Sequence, residues 1–252
     1  MEKFVLTILF LIGIIPFAFG EVLIENDQKY IGYDGALHIV GEIKNGMDIP
    51  VSQINVLVKL FDENQNEIAE KEVGSLVNTI MPGMKGPFDL VLINGEAKIT
   101  KSYSLKLDYT GSSPKNQVID ITESELSRDN YNNLMITGTV ANKGDITANT
   151  IAIIATLYDK EGNVAGVSKV HPEPDYLRVE DDAFFLISIP DKAQTNQINE
   201  YTLIAESEEY AAVPEFPIGT FVLLAITLTA YIGITRFSGK IITNLISVTN
   251  LK

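Results

Sequence analysis

Two stretches of the chain share one pattern of apolar and polar positions. In IAIIATLYDKEGNVAG (151–166), Ile151, Ile153, Ala155 and Leu157 fall on one side of an extended chain, with Ile154, Thr156 and Tyr158 on the other. A period of two predicts a β-strand. The polar run Asp-Lys-Glu-Gly-Asn then predicts a hairpin turn, with Gly162 suited to a left-handed position. INVLVKLFDENQNEIAE (54–70) repeats the design: alternating apolar residues, Leu-aromatic-Asp, a polar turn and a second strand. Leu134, Ile136, Gly138 and Val140 alternate with Met135, Thr137 and Thr139 in a further strand.

The likeness extends well beyond one hairpin. Displaced by 97 residues, segment 35–73 falls on segment 132–170 without a gap, with identities that include Gly41/Gly138, Asn45/Asn142, Asp62/Asp159 and Asn66/Asn163. The register continues outward to Ile24/Ile121 and Phe88/Phe185, and with one residue of shift to Tyr103/Tyr201. An entire domain has been duplicated. Short alternating strands in units of about ninety residues predict an all-β chain of two tandem immunoglobulin-like β-sandwich domains, residues 21–109 and 118–207. TGSSPKNQ (110–117), rich in turn formers, is the expected linker.

The two ends follow other patterns. Residues 1–20, MEKFVLTILFLIGIIPFAFG, have a weakly positive start at Lys3, a short apolar core, a break at Pro16 and small residues at Ala18 and Gly20. These are the parts of a signal peptide cleaved after Gly20, and an uncleaved anchor is the alternative. Near the other end, residues 216–235 carry no charge, enough at about 1.5 Å per residue to cross one bilayer core. Arg236 and Lys240 follow, which predicts a cytoplasmic tail (236–252) and an extracellular location for everything before the span. Residues 208–215 read as a juxtamembrane linker.

The remainder of the composition narrows the function. The chain has 252 residues, no Cys, no Trp and a formal charge of −14. Between residues 21 and 235 there are 32 acidic and 15 basic residues, a net −17. Lack of Cys excludes disulfides, thiolate metal sites and a thiol nucleophile. The acidic balance argues against a nucleic-acid partner, which needs a basic face.

Pro214-Glu215-Phe216, the apolar span and Arg236 together resemble archaeal C-terminal sorting signals of the PEF type. That resemblance implies an archaeal surface protein and a sorting transpeptidase, an archaeosortase, that exchanges the span for a lipid anchor. Whether the span is retained stays open. ATLYD, with the preceding GTVANKGD and the later PDYLRVEDDAFFL, is similar to the FxLYD-type β-sandwich domain of prokaryotic exported proteins; Ala155 stands at the Phe position. This second resemblance implies a fold and no catalytic residues.

Candidate sites are few. Asp62, Asn64, Asn66 and Glu67 have the alternate oxygen spacing of a calcium loop, but Glu67 occupies its glycine position, so a hairpin turn is expected. Glu173, Asp175, Glu180, Asp181 and Asp182 crowd one loop; the last four are the candidate cation ligands, against the ordinary reading of a solvated acidic loop. His38, in an alternating strand, and His171, before Pro172, are expected to be structural or surface residues. No nucleotide, dinucleotide or nucleophile-elbow motif occurs. The expectation is a non-enzymatic, cofactor-free, single-pass protein of the cell membrane. Its domains would offer sheet edges or loops to a protein partner. The alternative is a ligand- or divalent-cation-binding accessory subunit of a membrane complex.

Overall fold

In the computed structural model, residues 20–189, 198 and 200–214 are described. The expected signal peptide up to residue 19, Glu215 and Phe216 of the sorting motif, the apolar span, Arg236 and Lys240 all lie outside them. Among the described residues no helix is long and apolar enough to cross a membrane.

The described chain is all-β apart from one short helix. β1 (Val22–Ile31), β2 (Leu37–Asn45) and β6 (Lys85–Leu92) form one antiparallel sheet in the order β1-β2-β6. β4 (Glu67–Gly74), β3 (Val51–Phe61) and β7 (Ser102–Gly111) form a second, with β5 (Thr79–Ile80) paired to the start of β3. The second module repeats this plan. β8 (Ile119–Arg128), β9 (Leu134–Asn142) and β12 (Asp182–Ile189) pair in the order β12-β9-β8. β11 (Val164–Val170), β10 (Ala152–Tyr158), β13 (Glu200–Glu206) and β14 (Val213–Pro214) pair in the order β11-β10-β13-β14. Displacing β1, β2 and β6 by 97 residues reproduces the bounds of β8, β9 and β12 residue for residue.

Each pair of sheets encloses an apolar core, the β-sandwich-like arrangement that alternating strands require. Ile39, Ile43, Val56, Val58, Leu60 and Phe88 fill the first; Ile136, Val140, Ile153, Leu157, Phe185 and Leu203 fill the second. Gly41 lies beside the Phe88 ring and Gly138 beside that of Phe185, where an added Cβ would approach to 2.8 Å and 2.5 Å. The matched Gly/Phe identities are one packing solution used twice.

The backbone is conserved between copies even where residue type is not. Left-handed φ occurs at Gly35 and Asn132, Gln53 and Thr150, Gln65 and Gly162, Gly83 and Glu180, all pairs 97 apart. Three hairpins also share a turn. Asp62 Oδ1 accepts the N–H groups of Asn64 and Asn66, Asp159 those of Glu161 and Asn163, and Asp129 those of Tyr131 and Asn133. The Asp62 carboxyl is held below its usual range by the Asn66 side chain and backbone. The calcium-loop spacing is thereby explained as a hairpin turn.

Two expected boundaries are adjusted and one element is added. β7 continues to Gly111, so the irregular connection is 112–118. A short helix, α1 (Asn94–Ile99), joins β6 to β7. Residues 208–214, read as a linker, are built into the second module. Tyr210, Ala211 and Ala212 are buried, β14 pairs with β13, Ala211 N–H donates to Asn116 O, and Gln117 Nε2 donates to Ala212 O.

Candidate functional site

The site worth describing lies between the modules, and it begins with a strand face. In β10, Ile153, Ala155 and Leu157 point into the second core, while Ala152 and Ile154, on the opposite face, join the first core with Ile204 of β13. Both faces of this sheet are therefore buried, one under its own partner sheet and one under the first module. On the other side of the junction, the outward residues of β2 include Val40 and Glu42, fully covered.

Polar residues in this junction are paired across it. Tyr158 Oη donates to Glu42 Oε1 at 2.5 Å, and Lys85 Nζ lies 2.9 Å from Glu42 Oε2, although Glu42 is only 2% exposed. Glu206, 1% exposed, accepts the Asn78 N–H at 3.0 Å and lies 3.6 Å from Lys169 Nζ. Gln28 Nε2 donates to Val164 O, and Lys169 Nζ to Leu76 O, both at 2.8 Å. A buried carboxylate left unpaired is expensive, so the Tyr158–Glu42 and Asn78–Glu206 contacts tie one module to the other, while Lys85 and Lys169 supply the opposing charge from within the carboxylate's own module. Burial raises the Tyr158 hydroxyl well above its ordinary range, with Glu42 adding to the effect. Burial also raises Glu206, against the opposing pull of the Asn78 N–H and Lys169. Burial alone would lower the Lys85 ammonium; the hydrogen bonds and charges of Glu42 and Glu25 outweigh it, and the group is raised.

Where the junction opens there is a cleft of about 230 Å³ lined by Tyr30, Tyr33, Asp34, His38 and Asp89 of the first module and by Val167, Ser168 and Ser188 of the second. His38 Nδ1 lies 3.0 Å from both Asp89 carboxylate oxygens, and its ring stacks on Tyr30 at 4.7 Å between centroids with the planes nearly parallel. Aromatic faces beside carboxylates favour a small cationic group. Sequence reasoning treated His38 as structural. Its partner Asp89 is 51 residues away, and only the pairing of β2 with β6 joins them.

The acidic loop behaves differently. Among the described residues no three His, Cys, Asp or Glu side chains gather to hold a metal. Asp175, Glu180, Asp181 and Asp182 are exposed, and the Glu180 carboxylate faces Lys143 Nζ at 3.4 Å. The backbone does the structural work there: Asp175 O accepts from Ile151 N–H, and Asp181 O from Asn142 N–H. His171 Nδ1 lies 2.6 Å from Ile151 O, a bond that fixes a loop.

Comparison with known proteins yields no family model and no curated protein that matches the chain. Among solved structures, red sea bream transglutaminase aligns with a TM-score of 0.24 at 9% identity, over 78% of this chain and 31% of that one. An Amycolatopsis orientalis exo-chitosanase aligns with 0.29 at 10% identity, over 75% of this chain and 26% of that one. The chain spans about a third or less of the length of these proteins, and likeness at this level carries nothing about its activity.

Proposed function

We propose that the chain is a non-enzymatic cell-surface protein: two immunoglobulin-like sandwiches joined rigidly, exported by the N-terminal signal and held by the C-terminal apolar span or by a lipid that replaces it. The observation that carries this reading is the junction. A module whose sheet is buried on both faces cannot swing against its neighbour, so the pair is suited to hold a surface at fixed geometry. The FxLYD-type and PEF-type resemblances point to the same setting, with the membrane and a sorting transpeptidase as partners. Mass spectrometry of the mature protein from the membrane fraction is the test. Loss of residues 1–20, together with surface accessibility to an impermeant label, is expected. Full-length protein in the cytosol would sink the proposal.

The inter-module cleft favours a second reading, an accessory subunit that binds a small ligand. On this reading the working surface is the Tyr30–His38–Asp89 cleft rather than the acidic loop. Small quaternary ammonium ions should raise the melting temperature of the wild-type protein and leave that of Tyr30→Ala unchanged. Equal response of both proteins would remove this reading.

A further inference from the structure

The duplication allows each surface of one module to be compared with its counterpart in the other, and one pair of counterparts differs in kind. β6 and β12 occupy the same position, each at the edge of a three-stranded sheet. Edge strands invite pairing with other chains, and proteins blunt them with Pro or with charge. β6 is blunted. Its outward residues include Lys85, Pro87 and Asp89, and Leu76 N–H donates to Pro87 O. In β12, Phe184 and Leu186 stand where β6 has Pro87 and Asp89, and they are 61% and 47% exposed. Asp182 is the only charge in DAFFLISI. The face behind them differs as well. Val40 and Glu42 of β2 are covered by the second module, whereas their counterparts Thr137 and Thr139 are only half-buried.

We propose that β12 is a self-association edge, pairing antiparallel with β12 of a second copy to make a continuous six-stranded sheet across a two-fold axis. A second copy fits better than a repeat of the internal junction. The surface that covers the first module, the outer face of β11, β10 and β13, is already occupied within every copy. Its counterpart on the first module carries Lys59, Glu70, Glu72 and Lys106, which offer no apolar cover. β12 is complementary to itself. Side chains keep their face only if even positions meet even positions, because strand periodicity is two. A two-fold centred on Phe185 then sets Phe184 opposite Leu186 of the other copy, bringing four exposed apolar side chains into one patch. It also sets Asp182 opposite Ser188, so the like charges sit at opposite ends, as association of two acidic chains requires. This inference is independent of where the protein resides.

The test uses the full chain in detergent. Sedimentation should show two chains per particle for the wild type and one for Leu186→Lys, with unchanged circular dichroism for the variant and a melting temperature that, unlike that of the wild type, does not rise with protein concentration. The chain has no cysteine, so Asp182→Cys/Ser188→Cys introduces the only thiols and leaves Phe184 and Leu186 in place. Directly opposed strand residues have Cα atoms about 4.5–5.5 Å apart, within disulfide reach. Oxidation should therefore link two copies of the double variant and of neither single variant, because same-residue pairs are offset by six positions. A monomeric wild type, a dimer that survives Leu186→Lys, or a double variant that fails to cross-link would each overturn the proposal. The second of these outcomes would assign association to another part of the chain.

Discussion

Asn45 and Asn142 show how one side chain fixes a corner of the fold. Each is fully buried. Asn142 Nδ2 donates to Ile146 O at 2.8 Å and to Leu177 O at 3.0 Å, and its Oδ1 accepts the Gly144 N–H at 2.9 Å. Asn45 makes the same three bonds, to Ile49 O, Ile80 O and Met47 N. A carboxamide is needed because one donor group must serve two carbonyls while its oxygen serves an amide. Removing that of Asn142 takes the donor from Ile146 O and the acceptor from the Gly144 N–H, both part-buried, and one of two donors from Leu177 O, which keeps the Ala148 N–H; a group left unpaired costs about 1–3 kcal/mol. Asn142→Ala is therefore expected to lower stability by about 3 kcal/mol in chemical denaturation, and Asn45→Ala should match it. A loss below about 0.5 kcal/mol, the usual limit for surface changes, would contradict this account. The identity was plain in the sequence, where both asparagines sit beside turn residues. Their burial was not, because the carbonyls they bind lie as far as 35 residues away.

At the scale of elements, the strands were legible and their surroundings were not. Alternation located β2, β3, β9 and β10, since period two is a local property of the chain. It could not reveal that the outward face of β10 is covered. A hint was nonetheless present in the differences between the copies: Lys59 against Thr156, and Glu70 against Val167, replace charge with neutral groups on one face. The segment after β13 carries a similar lesson. Residues 208–215 read as a linker, yet Tyr210 is buried, its Oη accepts the N–H groups of Asp145 and Ile146 at 3.1 and 3.2 Å, and it donates to Asp145 Oδ1. Tyr210→Phe leaves two amides without that acceptor, costing about 1–3 kcal/mol. Hydrogen exchange should consequently quicken across Ser207–Pro214 while the β9 core remains protected. Unchanged protection in that segment would show that β14 pairing alone holds it.

For the whole molecule, the junction with its two buried carboxylates gives a pH dependence whose sign can be worked out. Burial raises Glu206 above its ordinary value of 4.5, so the folded protein binds that proton more tightly than the unfolded chain. The stability linked to this group is fully present below pH 4.5 and is lost as the pH rises through the raised folded value. Glu206→Gln cannot titrate. The melting temperature of the wild type should therefore fall relative to that of Glu206→Gln as the pH is taken from 4.5 toward neutrality. Parallel curves would mean that Asn78 and Lys169 fully offset the burial.

The sequence by itself determined the duplication, the strand faces, the turns built on Asp62 and Asp159, and the apolar and charged patterns of the two ends. All of these are written in neighbouring residues or in a fixed displacement of 97. Tertiary structure alone decided that the modules share a buried junction, that His38 meets Asp89 beside Tyr30, and that β12 is an open edge among the described residues while β6 is closed. Those outcomes depend on which strand lies beside which, and a strand's side-chain pattern records that it has a buried face without recording what buries it.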